Sequence, residues 1–320
     1  MKWQRGVALV TVLLVVAVAT VVCSAIIARQ QLTIRSSANQ LHVRQAWHYA
    51  LGGEVLARSV LLRDLKESDP QAPVDHLGEA WAQVMPSFAL DEGGELRMRI
   101  FDPAGRFNLN SLVLNGQVNT AALAQFQRLL LVLQIDRPYA ERLRDWLDAD
   151  LEPSGGYGAE DGQYLLQQPA YRAANRPLAD VSELRLLLEM DAEDYRKLLP
   201  FVNTLPADTP LNVNTAEAPV LASLAEGVSL RTAQEWVEAR GRQGFRDLQQ
   251  VREAMPGAQP GQGLALSSQY FEVLSEVAVG DRRQVLRSTL HRTADGKVYV
   301  LGRDLGVAGV PPEPMTSGRE

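Results

Sequence analysis

Residues Val7 to Ile27 carry no charge for 21 positions, with Lys2 and Arg5 on one side and Arg29 on the other. An apolar run of about 20 residues spans about 30 Å of hydrocarbon as a helix. The positive-inside rule keeps the short leader Met1–Gly6 cytoplasmic and puts everything after Arg29 across the membrane. A secretory signal peptide has a shorter apolar stretch, about 7–15 residues, followed by a small-residue cleavage site. A lipoprotein signal places a small residue before its cysteine, whereas Cys23 follows Val21-Val22. The run is therefore expected to persist as a membrane helix.

At 320 residues, with 46% apolar and 22% charged positions, the chain has room for about two ordinary globular domains. Its net charge is −6, and loss of Lys2 and Arg5 would leave 30 basic against 38 acidic residues. An acidic body binds polyanions poorly, which argues against nucleic acid as a partner. Cys23 is the only cysteine, so no intramolecular disulfide can form and stability rests on packing or a metal.

Residues 28–66 read as a helical continuation, with Leu32, Leu41, Ala46, Tyr49, Leu51 and Leu56 among polar residues and no proline. Gly52-Gly53 mark a bend or a close approach rather than an end. Residues 67–102 open with a loop and close on Glu95–Phe101, which alternates apolar and charged residues like a half-buried strand. From 103 to 264 the pattern is helical, ending in the linker Pro256–Gly263. Strand patterns return at Phe271–Val279, Gln284–Arg292 and Lys297–Leu301, the last two joined by a hairpin signal, Asp295-Gly296. Residues 265–305 thus complete a small antiparallel sheet begun before 103, and 306–320 form a flexible tail. An isolated hairpin is marginal in water, so these strands need the earlier one and the N-terminal helix for a core. The fold class expected is α+β, with an all-α domain inserted in the sheet.

The helical block repeats itself. Phe107-Asn108-Leu109-Asn110-Ser111 returns as Leu211-Asn212-Val213-Asn214-Thr215, and Leu133–Leu147, ending in Asp145-Trp146-Leu147, parallels Leu224–Val237, ending in Glu235-Trp236-Val237. Leu178–Leu184 then matches Gly244–Leu248. Two copies of one helical module are expected, with Ser111 and Thr215 as helix N-caps. The second copy resembles the helix-hairpin-helix repeats of nucleic-acid-binding proteins. Ser229 stands in place of the second hairpin glycine, and the first copy carries Asp136 where phosphate would sit. The modules read as a scaffold for protein contact.

Between its tryptophan and Leu178 the first copy has an extra segment, Asp145–Asp161, with six carboxylates and no basic residue. Gly155, Gly156, Gly158 and Pro153 make it a loop that can turn oxygens toward one point. Hard oxygen donors in flexible geometry suit calcium; zinc would want His or Cys. A solvated acidic loop is the alternative, although six uncompensated carboxylates would repel. Pro153 and Ala159 occupy the glycine and glutamate positions of an EF-hand, so the loop is not one. The histidines His42, His48, His76 and His291 are scattered, and no nucleophile elbow, phosphate loop or zinc spacing is present, so no enzyme is expected.

Arg5-Gly6-Val7-Ala8-Leu9-Val10-Thr11 resembles the processing site of type IV pilin-like proteins, cut after the glycine on the cytoplasmic side. Thr11 stands where those families place Glu. Its loss and the large domain resemble the K-type minor pseudopilin of the type II secretion system. That family characteristically shows three motifs, present here as Asp145-Trp146-Leu147-Asp148-Ala149-Asp150, Gly158–Tyr164 and Tyr171-Arg172-Ala173-Ala174-Asn175-Arg176-Pro177. The resemblance runs in order from Gly6 to the final strands. It implies a subunit at the tip of the secretion pseudopilus, held in the inner membrane with its bulk in the periplasm and non-catalytic. The implied partners are the I, J and H minor pseudopilins, the major pseudopilin, the prepilin peptidase and the inner-membrane platform. Calcium in the acidic loop is implied too. Asp148, Asp150, Glu160 and Asp161 are the expected ligands, with Asp145 and Asn175 as further candidates and Glu152 facing solvent. A calcium-dependent adhesin or a DNA-uptake pseudopilin is the alternative.

N-terminal sequencing of membrane-extracted protein should therefore begin at Val7, and a bulky residue at Gly6 should block the cut. An intact Met1, or a start beyond Ala25, would refute the pilin-type leader.

Overall fold

In the computed structural model, residues 4–69, 72–90, 93–258, 263–280 and 282–305 are described. Met1–Trp3 of the leader, 259–262 of the expected linker and the expected tail at 306–320 lie outside them. A single helix, α1, runs from Gln4 to Glu67. At 1.5 Å per residue its 64 residues extend about 96 Å, and the segment from Ala8 is long and apolar enough to cross a membrane. From Ala8 to Ala38 the helix is exposed on all sides. Beyond it, Ala46, Ala50, Ala57 and Leu61 recur at helical spacing and are buried.

That line packs on a five-stranded antiparallel sheet: β1 (Phe88–Ala89), β2 (Glu95–Phe101), β3 (Tyr270–Val279), β4 (Arg282–Arg292) and β5 (Val298–Asp304), adjacent in that order. Leu96, Met98 and Ile100 of β2 are buried while Arg97 faces out, as the alternation requires. The helix runs on without a break through Gly52-Gly53. A Cβ at Gly53 would lie 2.5 Å from Ser275 Oγ, so this glycine admits a close approach to β3. One residue on, buried Glu54 accepts from Ser288 Oγ (2.8 Å) and from Arg303 Nε and Nη2 (2.7 and 2.8 Å), fixing the register of α1 on β4 and β5.

Phe101 lies opposite Glu272, so residues 102–269 leave and re-enter the sheet at one end. This segment holds α2 (Thr120–Val132), α3 (Tyr139–Leu147), α4 (Asp161–Tyr164), α5 (Ala192–Leu198), α6 (Ala218–Ala222), α7 (Leu230–Arg240) and α8 (Leu248–Ala254). One core gathers Phe107, Phe126, Leu143, Trp146 and Tyr164, and a second Leu211, Leu221, Leu224, Trp236 and Phe245. The segment is not purely helical. Phe107–Asn108 pairs in parallel with Val202–Asn203, and Leu211–Asn212 with Leu264–Ala265. Each Asn-x-Asn motif enters as extended chain before it turns, and that extended pair finds a partner.

The repeats are one hydrogen-bonding device used twice. Asn108 and Asn212 each accept through Oδ1 from the backbone N–H two residues on. Asn110 then holds Leu178 by both main-chain groups, donating to its oxygen (3.0 Å) and accepting from its nitrogen (2.8 Å). Asn214 does the same to Phe245 (3.0 and 2.7 Å). Ser111 and Thr215 are not N-caps: Ser111 Oγ donates to Asn108 O and Thr215 Oγ1 to Asp102 Oδ2. Both lie within a tight turn rather than opening a helix, and α2 is capped by Asn119 instead, through Ala122 N.

Where the segment meets the sheet, Arg292 at the end of β4 is 4% exposed. It donates to both oxygens of Asp75 (2.5 and 2.6 Å) and to Asp64 Oδ2 (2.9 Å), with its guanidinium 4.7 Å from the Phe271 ring centre. Ser268 N donates to Asp75, and Ser268 Oγ, Thr215 Oγ1 and Asn212 Nδ2 all donate to Asp102 Oδ2. Burial pushes the carboxyl of Asp102 up to about 6 and that of Asp64 up to about 7.

Asn214→Ala should be costly, because it orphans the N–H and C=O of Phe245 in a closed core. A loss of at least about 2 kcal/mol in urea unfolding is expected, since each unsatisfied buried group costs about 1–3 kcal/mol. A change within about 0.5 kcal/mol, the usual effect of a surface substitution, would show that the pincer contributes little.

Candidate metal centre

Helix α3 delivers the first carboxylates. Asp145 lies on its buried face, and Asp148 ends it, donating its N–H to Arg144 O. The chain loops through Asp150 and returns at Glu160, whose N–H donates to Gln163 Oε1 (2.9 Å) as α4 begins. Beneath the loop, Trp146, Tyr164 and Tyr171 pack edge to face or tilted, with centroids 5.1 Å (Trp146–Tyr164) and 5.3 Å (Tyr164–Tyr171) apart. These rings fix the two ends of the loop relative to each other.

Asp148, Asp150 and Glu160 each place an oxygen within 4.8 Å of the others. Glu160 is 2% and Asp148 7% exposed. Among the described residues neither oxygen of Glu160 has a hydrogen-bond partner, and Asp148 Oδ1, Asp145 Oδ1 and Asn175 Oδ1 are equally unmatched. Arg144 Nε comes only to 4.0 Å from Asp148 Oδ2. Burial pushes Glu160 up to about 7, reinforced by Asp145, Asp148, Asp150 and Asp161. Burial and then Asp150 and Asp145 push Asp148 up to about 6.

Asp145 Oδ2 accepts from Ser154 N (2.9 Å), and Asn175 Nδ2 donates to Asp150 O (3.1 Å) with Asn175 in the left-handed region at φ 47°. Asp161 is not brought into the trio: Arg172 Nη1 and Ala173 N donate to its two oxygens at 2.6 and 3.1 Å. Arg172, 11 positions on and outside the acidic run, forms an ion pair with this carboxylate. Glu152 is exposed, as expected. Gly158 went unremarked as a site residue; a Cβ there would lie 2.1 Å from Asp145 Oδ2 and 2.4 Å from Ser154 N. Ser154 Oγ, buried and unpartnered, was missed as well, because a serine among glycines carries no distinctive spacing. The set offers oxygen without nitrogen or sulfur, the donor chemistry of a hard cation.

At the other end of the molecule, Gly6 and Val7 lie in the first turns of α1, and Thr11 Oγ1 donates to Ala8 O (2.9 Å). The family model described as "Type II secretion system (T2SS), protein K" matches residues 105–207 and 211–273. A type II secretion system protein K of Pseudomonas aeruginosa is 57% identical, over 99% of this chain and 97% of that protein. One from Klebsiella pneumoniae is 37% identical over 97% and 99% of the two chains. The chain belongs to the type II secretion system protein K family. In a crystal structure of the GspK-GspI-GspJ complex from enterotoxigenic Escherichia coli, one chain is 28% identical and superposes with TM-score 0.73, covering 84% of this chain and 99% of that one. The protein is a type II secretion minor pseudopilin of the K type, pilin-like in its apolar N-terminal helix and antiparallel sheet. Within Tyr171-Arg172-Ala173-Ala174-Asn175, Tyr171 packs under the loop, Arg172 pairs with Asp161, and Asn175 turns toward Asp150.

Without metal, the raised carboxyls give a signed pH dependence. Their folded values exceed the unfolded ones, so folded protein binds more protons and gains stability as pH falls from about 7.5 to 5. In chelator the melting temperature should rise on that descent. Glu160→Gln should raise it at pH 7.5 and flatten the slope; an unchanged slope would place the effect elsewhere, at Asp64 or Asp102.

Proposed function

We propose that this chain caps the secretion pseudopilus and that its acidic loop holds calcium. The observation carrying the metal reading is Glu160, a buried carboxylate with both oxygens unpartnered beside two further carboxylates. Asp148, Asp150 and Glu160 are the direct ligands, with Asp145 Oδ1 and Ser154 Oγ of the same loop and Asn175 Oδ1 of the later Tyr171–Pro177 segment as further donors. Calcium, when bound, supplies the positive charge that joins α3 to α4. Ser154 N and Asn175 Nδ2 orient the surrounding oxygens, and Gly158 leaves room for Asp145.

The capping reading rests on where the mass lies. Residues 103–264 act as an inserted domain of two helix-hairpin-helix-like modules, and they join the sheet at the Arg292 end, beside the last turns of α1. With Val7–Ile27 in the inner membrane and the body in the periplasm, that end is distal from the membrane. A subunit stacked above would meet this mass. Thr11 fits the same position: a membrane carboxylate costs about 2.5–3.5 kcal/mol unless paired, and a first-added subunit has no earlier neighbour whose amine could pair with one. The I and J subunits named with the Escherichia coli structure are the nearest partners. The H subunit, the major pseudopilin, the prepilin peptidase and the inner-membrane platform complete the set.

Removing the membrane helix and comparing melting in calcium and in chelator tests the metal. A ligand at a hundredfold excess over its Kd stabilises by about 2.7 kcal/mol, so a clear rise is expected, smaller in magnesium, which demands stricter octahedral geometry. Asp148→Ala with Glu160→Ala should abolish the rise, and in cells the same pair should leave exported proteins in the periplasm. Equal melting in calcium and chelator would return the loop to a solvated acidic segment.

A further inference from the structure

A cavity of about 840 Å³ lies where the end of α1, the loop that follows it and the second helical module meet. Its walls are tied together. Arg242 Nη2 of the module donates to Gln83 Oε1 of the loop (2.7 Å), and Gly78 comes so close that a Cβ there would sit 2.5 Å from Arg242 O. Val60 of α1 and Val74 and Met85 of the loop, all half-buried, give the cavity aliphatic sides.

Two half-buried carboxylates, Asp64 and Glu79, line it among those sides. Arg292 engages both oxygens of Asp75 but reaches Asp64 through Oδ2 alone. Glu79 accepts through Oε2 from His76 N (3.0 Å) and Trp81 Nε1 (2.7 Å), while its Oε1 stands 3.8 Å from His76 Nε2. Asp64, Asp75 and Glu79 lie within 4.8 Å of one another, and among the described residues they share one guanidinium. At the exposed rim Arg63 and Arg246 stand against Glu67 and Asp69, so the charges there cancel. The shortage of cation is confined to the half-buried pair.

We infer that this cavity receives a cationic side chain, lysine or arginine, from an extended segment of another protein, its head between Asp64 and Glu79 and its stem along Val60, Val74 and Met85. The inference goes beyond filament capping and calcium, and neither has to hold for it. Lysine and arginine lay their apolar stems along aliphatic surface and keep the charged head among polar groups, and charge-assisted bonds to carboxylates are the strong ones. A hard metal ion is the poorer fit, because calcium takes six to eight oxygens and a guanidinium already occupies the cluster. A free polyamine is poorer too, since its second ammonium gains nothing at a neutral rim. Small-ligand sites measure about 300–1,000 Å³, so this one has room for main chain beside the side chain.

The test uses the full-length chain in mild detergent with isotope-labelled methionine methyls, the Met85 signal being assigned by Met85→Leu. Capped Ala-Lys-Ala and Ala-Arg-Ala peptides should shift that signal to saturation. The norleucine counterpart, with the stem but no charge, should bind at least about tenfold more weakly, equivalent to about 1.4 kcal/mol. Asp64→Asn and Glu79→Gln keep an acceptor for Arg292 and Trp81, and each should weaken the lysine peptide by a similar factor. The native chain supplies a second reading. Burial, then repulsion from Glu79 and Asp75, pushes Asp64 up to about 7, while burial holds His76 below its usual range. The lysine peptide should therefore bind about tenfold more tightly at about pH 8 than at about pH 6, as Asp64 ionises. That reading decides the matter if either variant fails to fold. No shift at Met85, equal binding of the norleucine peptide, or no gain with pH overturns the inference. Tighter binding of spermidine than of either cationic peptide overturns the protein source.

Discussion

Arg292 is the one cation on which the architecture turns. It ends the fourth strand, yet its guanidinium reaches Asp64 on the long helix and Asp75 on the following loop, while Asp75 and Ser268 hand the network on to Asp102. Asn212 and Thr215 bring the second helical module to the same carboxylate. Helix, sheet and inserted segment therefore meet at a single buried charge. Such a group adds little net stability over an apolar substitute, but removing one partner strands the others, at a cost of about 3–5 kcal/mol. Its effect here is geometric: it sets the angle at which a bulky segment leaves a small sheet.

Among the described residues the same electrostatic problem arises twice, with different solutions. Asp64, Asp75 and Glu79 crowd within 4.8 Å, as Asp148, Asp150 and Glu160 do. The first group has Arg292 among it, and His76 N and Trp81 Nε1 donate to Glu79. The second has no guanidinium closer than Arg144 at 4.0 Å and leaves Glu160 unmatched. Asp161, the loop carboxylate that does have an internal cation in Arg172, is the one that stands apart. A buried unpaired carboxylate is among the costliest features a fold can hold. The contrast points to a counter-ion from outside.

What could be read from the sequence follows from how local the signals are. The apolar run, the strand Glu95–Phe101 and the terminal strands declare themselves through absence of charge or period-two alternation, and the structure places a helix over the first and strands over the others. The Asn-x-Asn echo was visible as a pattern, but its meaning was not, because Asn110 and Asn214 act on residues 68 and 31 positions away. Ser111 and Thr215 misled for a related reason: a hydroxyl after a turn looks like a cap until the next helix is located. Within the loop, the cluster of acids was legible, whereas the pairing of Asp161 depended on Arg172, which only the fold brings near. The network around Arg292 has no sequence signature at all, since its members are drawn from six separate places in the chain.

A crystal structure of the chain without its membrane helix, grown in millimolar calcium, tests the external counter-ion most directly. The account predicts an anomalous peak with oxygens of Asp148, Asp150 and Glu160 at about 2.3–2.6 Å, the usual calcium–oxygen distance. Ordered water alone, or a basic side chain folded onto Glu160, would contradict it.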